Sequence, residues 1–484
     1  MILLALALVL QQGNESSPSS ADTVGYWQQG VRYSVIAVLN EAGLKLSGVG
    51  DMVYVNHSPD TLREMYVHQY LNAFRPHSKW SDVDEREGRV RFQHLADPDY
   101  GYERFTAPPT VNGTAVRVEY PGAPDSTVAR FALPSLLAPG DSITVHFEWD
   151  ARPSTVPRRQ ARRGRHWDFS QWYPKVAVYD RWGWEPNPLV PAGELYGEFG
   201  TYDVTMIVAK DQVIAGTGVV VGGDPGWERA KKWGTVHEQR DFYPEMRDAG
   251  IPAVPDGFKA VRFYARGVHG FAWTVSPDYR YEGGLYANRV AIHVLYQPGD
   301  EGEWGNGQAV ARTATALQWL EYLYGPYAYP QETNLHRIDG GGTEFPMMIM
   351  DGSASQGLIY HESGHIFTFG ILANNEWRSA WMDEGLTSFQ SSWADHLSPI
   401  DHAHGEAPPD EPRPSGYRGL AHVPQQWQRD QMLQYDLVMR GIAQPVGLPA
   451  YAFKDFGVYN AMVYDRSESM YNTLRDVLGD TGTI

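Results

Sequence analysis

The stretch IYHESGHIFTFGILANNEW, Ile359 to Trp377, places two histidines and a glutamate inside an otherwise apolar run. Burying polar groups without partners costs about 2–7 kcal/mol in apolar reference media. His361, Glu362 and His365 therefore need something to bind. On a helix over Leu358 to Leu372, His361 and His365 lie one turn apart on one face. Two imidazoles at that spacing hold one tetrahedral cation. Glu362 is rotated about 100 degrees from them, close enough to reach a water at the cation without becoming a ligand. Gly364 forfeits about 1 kcal/mol of helix propensity, which marks a close approach by another element.

The pattern is the His-Glu-x-x-His arrangement of zinc peptidases. Such a site needs a third protein ligand. Glu384, in WMDEGLTSF, is separated from His365 by eighteen residues, room for a helix end, a turn and a returning helix that begins near Ser379. Asp383 is the adjacent alternative, and charge at a helix N-terminus is the role preferred for it.

Composition narrows the surroundings of this site. The chain has 484 residues, 42% hydrophobic and 20% charged, which predicts a globular protein of two or three domains. The balance of 40 basic against 58 acidic residues gives a formal charge of -18 and argues against a nucleic-acid partner. The basic run RRQARRGR, Arg158 to Arg165, reads as a solvated loop. With no cysteine, disulfides, thiolate metal sites and a cysteine nucleophile are excluded. A metal must be held by His, Asp or Glu, which favours a hydrolytic zinc site or a hard cation.

The first residues, MILLALALVLQQGNESSPSS, run from an apolar segment into a polar tract. Residues 1–23 read as a signal peptide and polar leader, too short to span a bilayer. Export to the periplasm or beyond is the expectation, with a cytoplasmic protein if the leader is not a signal. No other segment is apolar enough to form an integral membrane span.

Residues 24–270 alternate in short runs broken by Gly, Pro, Asn and Asp. Tyr33–Leu39, Val116–Tyr120, Ile143–Trp149 and Tyr202–Val208 read as strands of a large antiparallel β-sandwich or saddle domain. Its Trp and Tyr content suits a carbohydrate-binding surface, but core filling is the preferred reading. From about Phe271 the texture becomes helical. Gly307–Gly325 has helical spacing, TEFPMMIMDG is strand-like, and SESMYNTLRDVLG forms a final helix. Ile400 to Arg429 is a Pro- and His-rich excursion. Residues 271–484 thus form a second, mainly α domain, expected to be truncated.

The segment HESGHIFTFGILANNEWRSAWMDEGLTSF resembles the zinc-binding core of the M1 family of metallopeptidases, the aminopeptidase N and leukotriene A4 hydrolase clan. That family has the same gap before its glutamate ligand. GGGTEFPMMI, Gly340–Ile349, is similar to the family's Gly-x-Met-Glu-Asn strand, with Thr343 and Phe345 departing from it. VYDRSESMYNTLRDVLGD, Val463–Asp480, resembles the family's Tyr-x-Lys-Gly helix start, with Arg466 and Ser467 replacing lysine and glycine. NHSPDTLREMYVHQYLNAF, SQWYPKVAVYDRWGW and GVHGFAWTVSPDY look like bacterial members, so the resemblance covers nearly the whole chain after the leader.

The resemblance implies a β domain followed by a thermolysin-like catalytic domain. It implies one Zn2+ per chain, held by His361, His365 and Glu384. Glu362 is then the general base and Tyr464 the hydroxyl that stabilises the oxyanion, with Tyr459 as its rival. Glu344 holds the free α-amine, and Gly341 and Gly342 meet the peptide backbone. The implied activity is that of an aminopeptidase acting on peptides with a free N-terminus. The alternatives are an endopeptidase or epoxide hydrolase on the same metal site, or a peptide-binding scaffold without activity.

Overall fold

The computed structural model describes residues 25–247, 250–397 and 425–483. The leader and most of the Ile400–Arg429 excursion lie outside the described residues.

The strand Gly30–Asn40 sets the pattern for the first part of the chain. Its residues alternate strictly, with Val31, Tyr33, Val35, Ala37 and Leu39 buried and the residues between them outward. A period of two on a sheet with one covered face produces this pattern. The strand sits in a nine-stranded sheet with Lys45–Val55, Ser142–Arg152, Gly200–Ala209 and Phe258–Val268 among its members. The strands expected at Tyr33–Leu39, Ile143–Trp149 and Tyr202–Val208 fall inside these elements.

Two expectations for the strands of this region need correction. The sheet is not purely antiparallel, because Gly30–Asn40 runs parallel to Gly200–Ala209. The long chain between them crosses through other sheets and returns, and parallel pairing needs such a crossover. Val116–Tyr120 is not a strand. Only Val116 reaches the core, and the run's one β-pairing among the described residues is an isolated bridge, Glu119 to Arg130.

Aromatic residues fill the interior, as preferred over a carbohydrate surface. Trp149, Trp167, Trp172 and Trp273 are fully buried. Trp149 donates its indole N–H to the Trp172 carbonyl at 2.9 Å, and Trp172 donates to the Phe271 carbonyl at 3.0 Å. Trp149 and Trp172 thus bury a large area without orphaning their donors, whereas the indole nitrogens of Trp167 and Trp273 have no hydrogen-bond partner among the described residues.

The basic run Arg158 to Arg165 is not a solvated loop. Ala161–Arg163 pairs with His166–Phe169 in a four-stranded sheet that also contains Val213–Gly216 and Trp273–Ser276. Arg165 bridges Glu41 and Asp211 at 2.6 Å each. Arg158 and Arg159 turn inward and line a cavity.

After Ser276 the chain supplies five strands of a six-stranded sheet whose remaining strand, Lys231–Gly234, comes from earlier in the chain. It includes Arg280–Tyr286, Val290–Tyr296, Gln331–His336, Glu344–Phe345 and Met348–Asp351. This sheet is mixed: Val290–Tyr296 and Gln331–His336 are parallel, while Glu344–Phe345 folds back antiparallel on Met348–Asp351. Helix α1, Gln308–Tyr324, supplies the crossover between the two parallel strands. Helix α2, Gln356–Thr368, carries the His-Glu-x-x-His motif and ends earlier than the expected Leu372. A short helix, Glu376–Ser379, and a 3-10 turn, Ala380–Met382, lead into helix α3, Glu384–Leu397. Helix α4, Ser467–Leu478, follows a π-helical turn at Ala461–Arg466. Among the described residues no helix is long and apolar enough to cross a membrane.

Candidate metal centre

Helix α2 is almost completely enclosed, and Gly364 shows why α3 can approach it. A Cβ at Gly364 would lie 2.3 Å from Gln390 Nε2 and 3.0 Å from Thr387 Cγ2. Gln390 in turn donates to the Tyr360 carbonyl at 2.6 Å. The helix propensity lost at Gly364 is offset by this contact, which brings the start of α3 beside His361 and His365.

Three donor atoms converge there. His361 Nε2 lies 3.1 Å from His365 Nε2. Glu384 Oε2 lies 3.4 Å from the first and 3.3 Å from the second. A tetrahedral ion with Zn–N and Zn–O bonds of about 2.0–2.1 Å separates its ligands by about 3.3 Å. The donor set and its spacing fit zinc. His365 and Glu384 are buried, while the His361 side chain is 20% exposed, leaving one side open to solvent.

Asp383 stands at the N-terminus of α3, as expected, with its carbonyl accepting from the Thr387 N–H at 2.8 Å, but its carboxylate faces His365. It is fully buried, and its Oδ2 accepts from His365 Nδ1 at 2.8 Å. Thr368 donates to its other oxygen. Adjacent residues at a helix start project about 100 degrees apart, so Asp383 passes behind the imidazole that Glu384 faces. An acceptor at Nδ1 fixes the tautomer whose Nε2 lone pair points at the metal position. Burial opposes charge on His365, but Asp383, Glu384 and Glu344 together hold its pKa well above the ordinary value. Burial alone would raise the Glu384 carboxyl, yet the pull of His365 and His361 holds it well below the usual carboxylate range.

Glu362 lies beside this triangle, 4% exposed, with burial pushing its carboxyl up to about 7 against the pull of the histidines. Gly342 makes room for it: a Cβ there would sit 2.0 Å from Glu362 Oε1. Gly341 has φ +70, a conformation in which glycine is favoured. Tyr464 stands on the π-helical turn, stacks on His361 at 6.3 Å between ring centroids, and donates its hydroxyl to Glu384 Oε1. Such turns recur at functional sites. Tyr459, the rival, is buried in the aromatic cluster with Phe453 and Phe456 and does not line the cavity. Ser467, where the resemblance expects glycine, packs its Cβ against Gly385, whose own Cβ would meet it at 2.3 Å.

Glu344 is buried, and its Oε1 has no hydrogen-bond partner among the described residues. It lies in a set of carboxyl groups that the sequence did not bring together. Single oxygens of Glu194, Glu344 and Glu376 lie within 4.8 Å of one another. Arg159 pairs with Glu194. Burial, with Glu344 and Glu384 nearby, pushes the Glu194 carboxyl up to about 8 despite Arg159. Glu376 lies within the quoted Ile359–Trp377 stretch, and its acidity inside an apolar run was a signal available in the sequence. Arg159 and Glu194 offered none. A cavity of about 430 Å³ runs past Tyr464, Gly340–Thr343, Glu194, Arg158 and Arg159.

No family model and no curated protein matches this sequence. Among solved structures, the chain is similar to the M1 zinc metallopeptidase of Deinococcus radiodurans, with a TM-score of 0.59 and 14% identity over 95% of this chain and 86% of that one. A mutant of that enzyme bound to a Tyr-Ser-Ala substrate matches with the same score and identity over 95% of this chain and 85% of that one. A two-domain M1 zinc metallopeptidase mutant bound to L-arginine matches with a TM-score of 0.57 and 14% identity, over 95% of this chain and 85% of that one. At this identity the likeness defines the fold. The chain has the architecture of the M1 zinc metallopeptidases, a β-rich first part and a helical C-terminal region.

Proposed function

We propose that this chain is a zinc-dependent aminopeptidase that removes N-terminal residues from peptides. The observation that carries the reading is the donor triangle of His361, His365 and Glu384, with edges of 3.1 to 3.4 Å. In this reading these residues hold one zinc ion per chain. Bound there, zinc supplies Lewis acidity that acidifies water and polarises a carbonyl.

The remaining steps belong to side chains. Glu362 accepts a proton from the attacking water and hands it to the leaving amine, and a carboxyl near 7 suits both transfers. Tyr464 turns its hydroxyl from Glu384 to the carbonyl oxygen as charge builds there, a contribution of about 3 kcal/mol for a donor of this type. Gly341 and Gly342 let the peptide backbone approach. Glu344, supported by Glu194 and Glu376, holds the substrate ammonium, so the cut falls after the first residue. We assign residues 24–270 to the β domain, 271–484 to the catalytic domain, and 1–23 to export.

Glu362→Gln tests the base. It should retain zinc and lose turnover of free-amine peptide amides, and wild-type turnover would remove Glu362 from this role. Glu344→Ala should reduce hydrolysis of unblocked peptides far more than that of acetylated ones. Equal loss on both would point to internal cleavage. A full zinc complement with no hydrolysis of peptides or epoxides would leave a binding scaffold.

A further inference from the structure

Three arginines, Arg158, Arg159 and Arg337, line the cavity, with the charge of Arg91 close enough to act on Arg158, and all but Arg158 have carboxylate partners. Arg159 pairs with Glu194. Arg337 lies 3.2 Å from Asp339 and donates to Thr343 Oγ1 at 2.6 Å. Arg91 donates to Asp84 at 2.8 Å. Arg158 has no ion-pair partner among the described residues, and its Nε is buried without a hydrogen-bond partner. Burial lowers its pKa, and so do the like charges of Arg91, Arg159 and Arg337, with Asp339 offsetting part of this.

An unpaired, partly buried guanidinium crowded by its own kind is costly. It is also unexpected in a chain of formal charge -18. Arg158 lines the same cavity as Tyr464 and the Gly340–Gly342 run. Asp465 and Glu194 also line it, and Glu194 is already engaged by Arg159. The guanidinium fork matches a carboxylate in two parallel hydrogen bonds, a geometry that an ammonium cannot reproduce.

We propose that Arg158 reads a carboxylate of the peptide substrate, so that the enzyme prefers peptides carrying an anion beyond the scissile bond. The group is either the C-terminal carboxylate of a short peptide or an acidic side chain. The proposal rests on the peptidase reading and names its substrate class.

The test compares kcat/KM for two pairs of free-amine peptides, using wild-type protein, Arg158→Gln and Arg158→Lys. Leu-Gly-Gly against its C-terminal amide reports on the terminal carboxylate. Leu-Asp-Gly-amide against Leu-Asn-Gly-amide reports on the side chain. In the wild type one pair should favour the acid by about 10- to 100-fold. That ratio should collapse toward one in Arg158→Gln and be partly kept in Arg158→Lys. Ratios near one for both pairs in the wild type would overturn the proposal. So would an equal fall for acid and neutral partner in Arg158→Gln, which marks a structural role. Calorimetric binding of the same peptides to zinc-loaded protein separates the two readings. If nothing is hydrolysed, the peptidase reading fails, while an acid preference in binding that Arg158→Gln abolishes still supports the carboxylate site. Absence of that binding preference overturns it.

Discussion

Gly342→Ala isolates the placement of Glu362 from the candidate metal ligands. The backbone at Gly342 does not require glycine, since only Gly341 of the Gly340–Gly342 run has a positive φ. The obstacle is Glu362 itself. An added methyl carbon would lie 2.0 Å from Oε1, 2.1 Å from Cδ and 2.4 Å from Cγ, whereas ordinary contact begins at 3.4 Å. Clearing the overlap requires a displacement of about 1.4 Å, shared between the Gly340–Thr343 backbone and the carboxyl. A catalytic group misplaced by about 1 Å costs roughly 10²-fold in rate, equivalent to about 2.7 kcal/mol of barrier. The three nearest atoms all belong to Glu362 and none to His361, His365 or Glu384. In the proposed reading, zinc content should therefore match that of the wild type while kcat on a leucine anilide falls about 100-fold. Gly340→Ala is the control, because nothing lies within 4 Å of its added carbon. Full zinc and wild-type turnover in Gly342→Ala would refute the reasoning, showing that the reaction does not depend on where Glu362 sits.

Two further outcomes follow from groups around the site and below it. Asp383→Ala removes the acceptor at His365 Nδ1 and should weaken zinc affinity by about 10- to 100-fold, measured by competition with a chromophoric chelator; unchanged affinity would remove Asp383 from the support of the metal. Glu198, buried and accepting from the Tyr179 N–H at 3.0 Å, has its carboxyl pushed up to about 8, chiefly by burial. Because the folded pKa is raised, the stability this group contributes is complete below the unfolded value near 4.5 and is lost as pH rises through about 8. Wild-type stability in urea should carry a falling component of up to about 1.4 kcal/mol per pH unit across that window. Glu198→Gln should lack it, and parallel pH profiles for the two proteins would contradict the assignment.

The sequence made the candidate donor triangle legible because its geometry is local. Two histidines four positions apart on a helix share a face whatever the rest of the fold does. Glu384 needed only a helix end, a turn and a return, and Gly364 announced the close packing that places it. The strands of the first domain were legible for a similar reason, since alternation of buried and outward residues is a property of each strand alone. Their direction was not. Alternation reads the same for parallel and antiparallel neighbours, so the Gly30–Asn40 and Gly200–Ala209 pairing emerges only from the fold. Asp383 and Glu384 were readable as a pair of candidates, but their separate tasks depend on which imidazole nitrogen each meets.

The charges around the site were the least legible part, and they carry the strongest link between fold and function. Arg158 and Arg159 sit in a run whose composition suggests water on every side, and Glu194 lies far along the chain. Folding buries Glu194, Glu344, Glu376, Asp383 and Glu384 near one another and sets Arg159 and His365 among them. Burial pushes Glu194, Glu344 and Glu376 upward, so their negative charge is costly unless positive charge arrives. Arg159 and His365 together do not balance five carboxyl groups. In the proposed reading, an ammonium at Glu344 brings charge of the required sign to the raised carboxyl groups, and a divalent ion at His361, His365 and Glu384 adds more beside them. In the proposed reading, metal and substrate are therefore bound by one electrostatic arrangement, whose energetic strain in the protein alone becomes affinity for both.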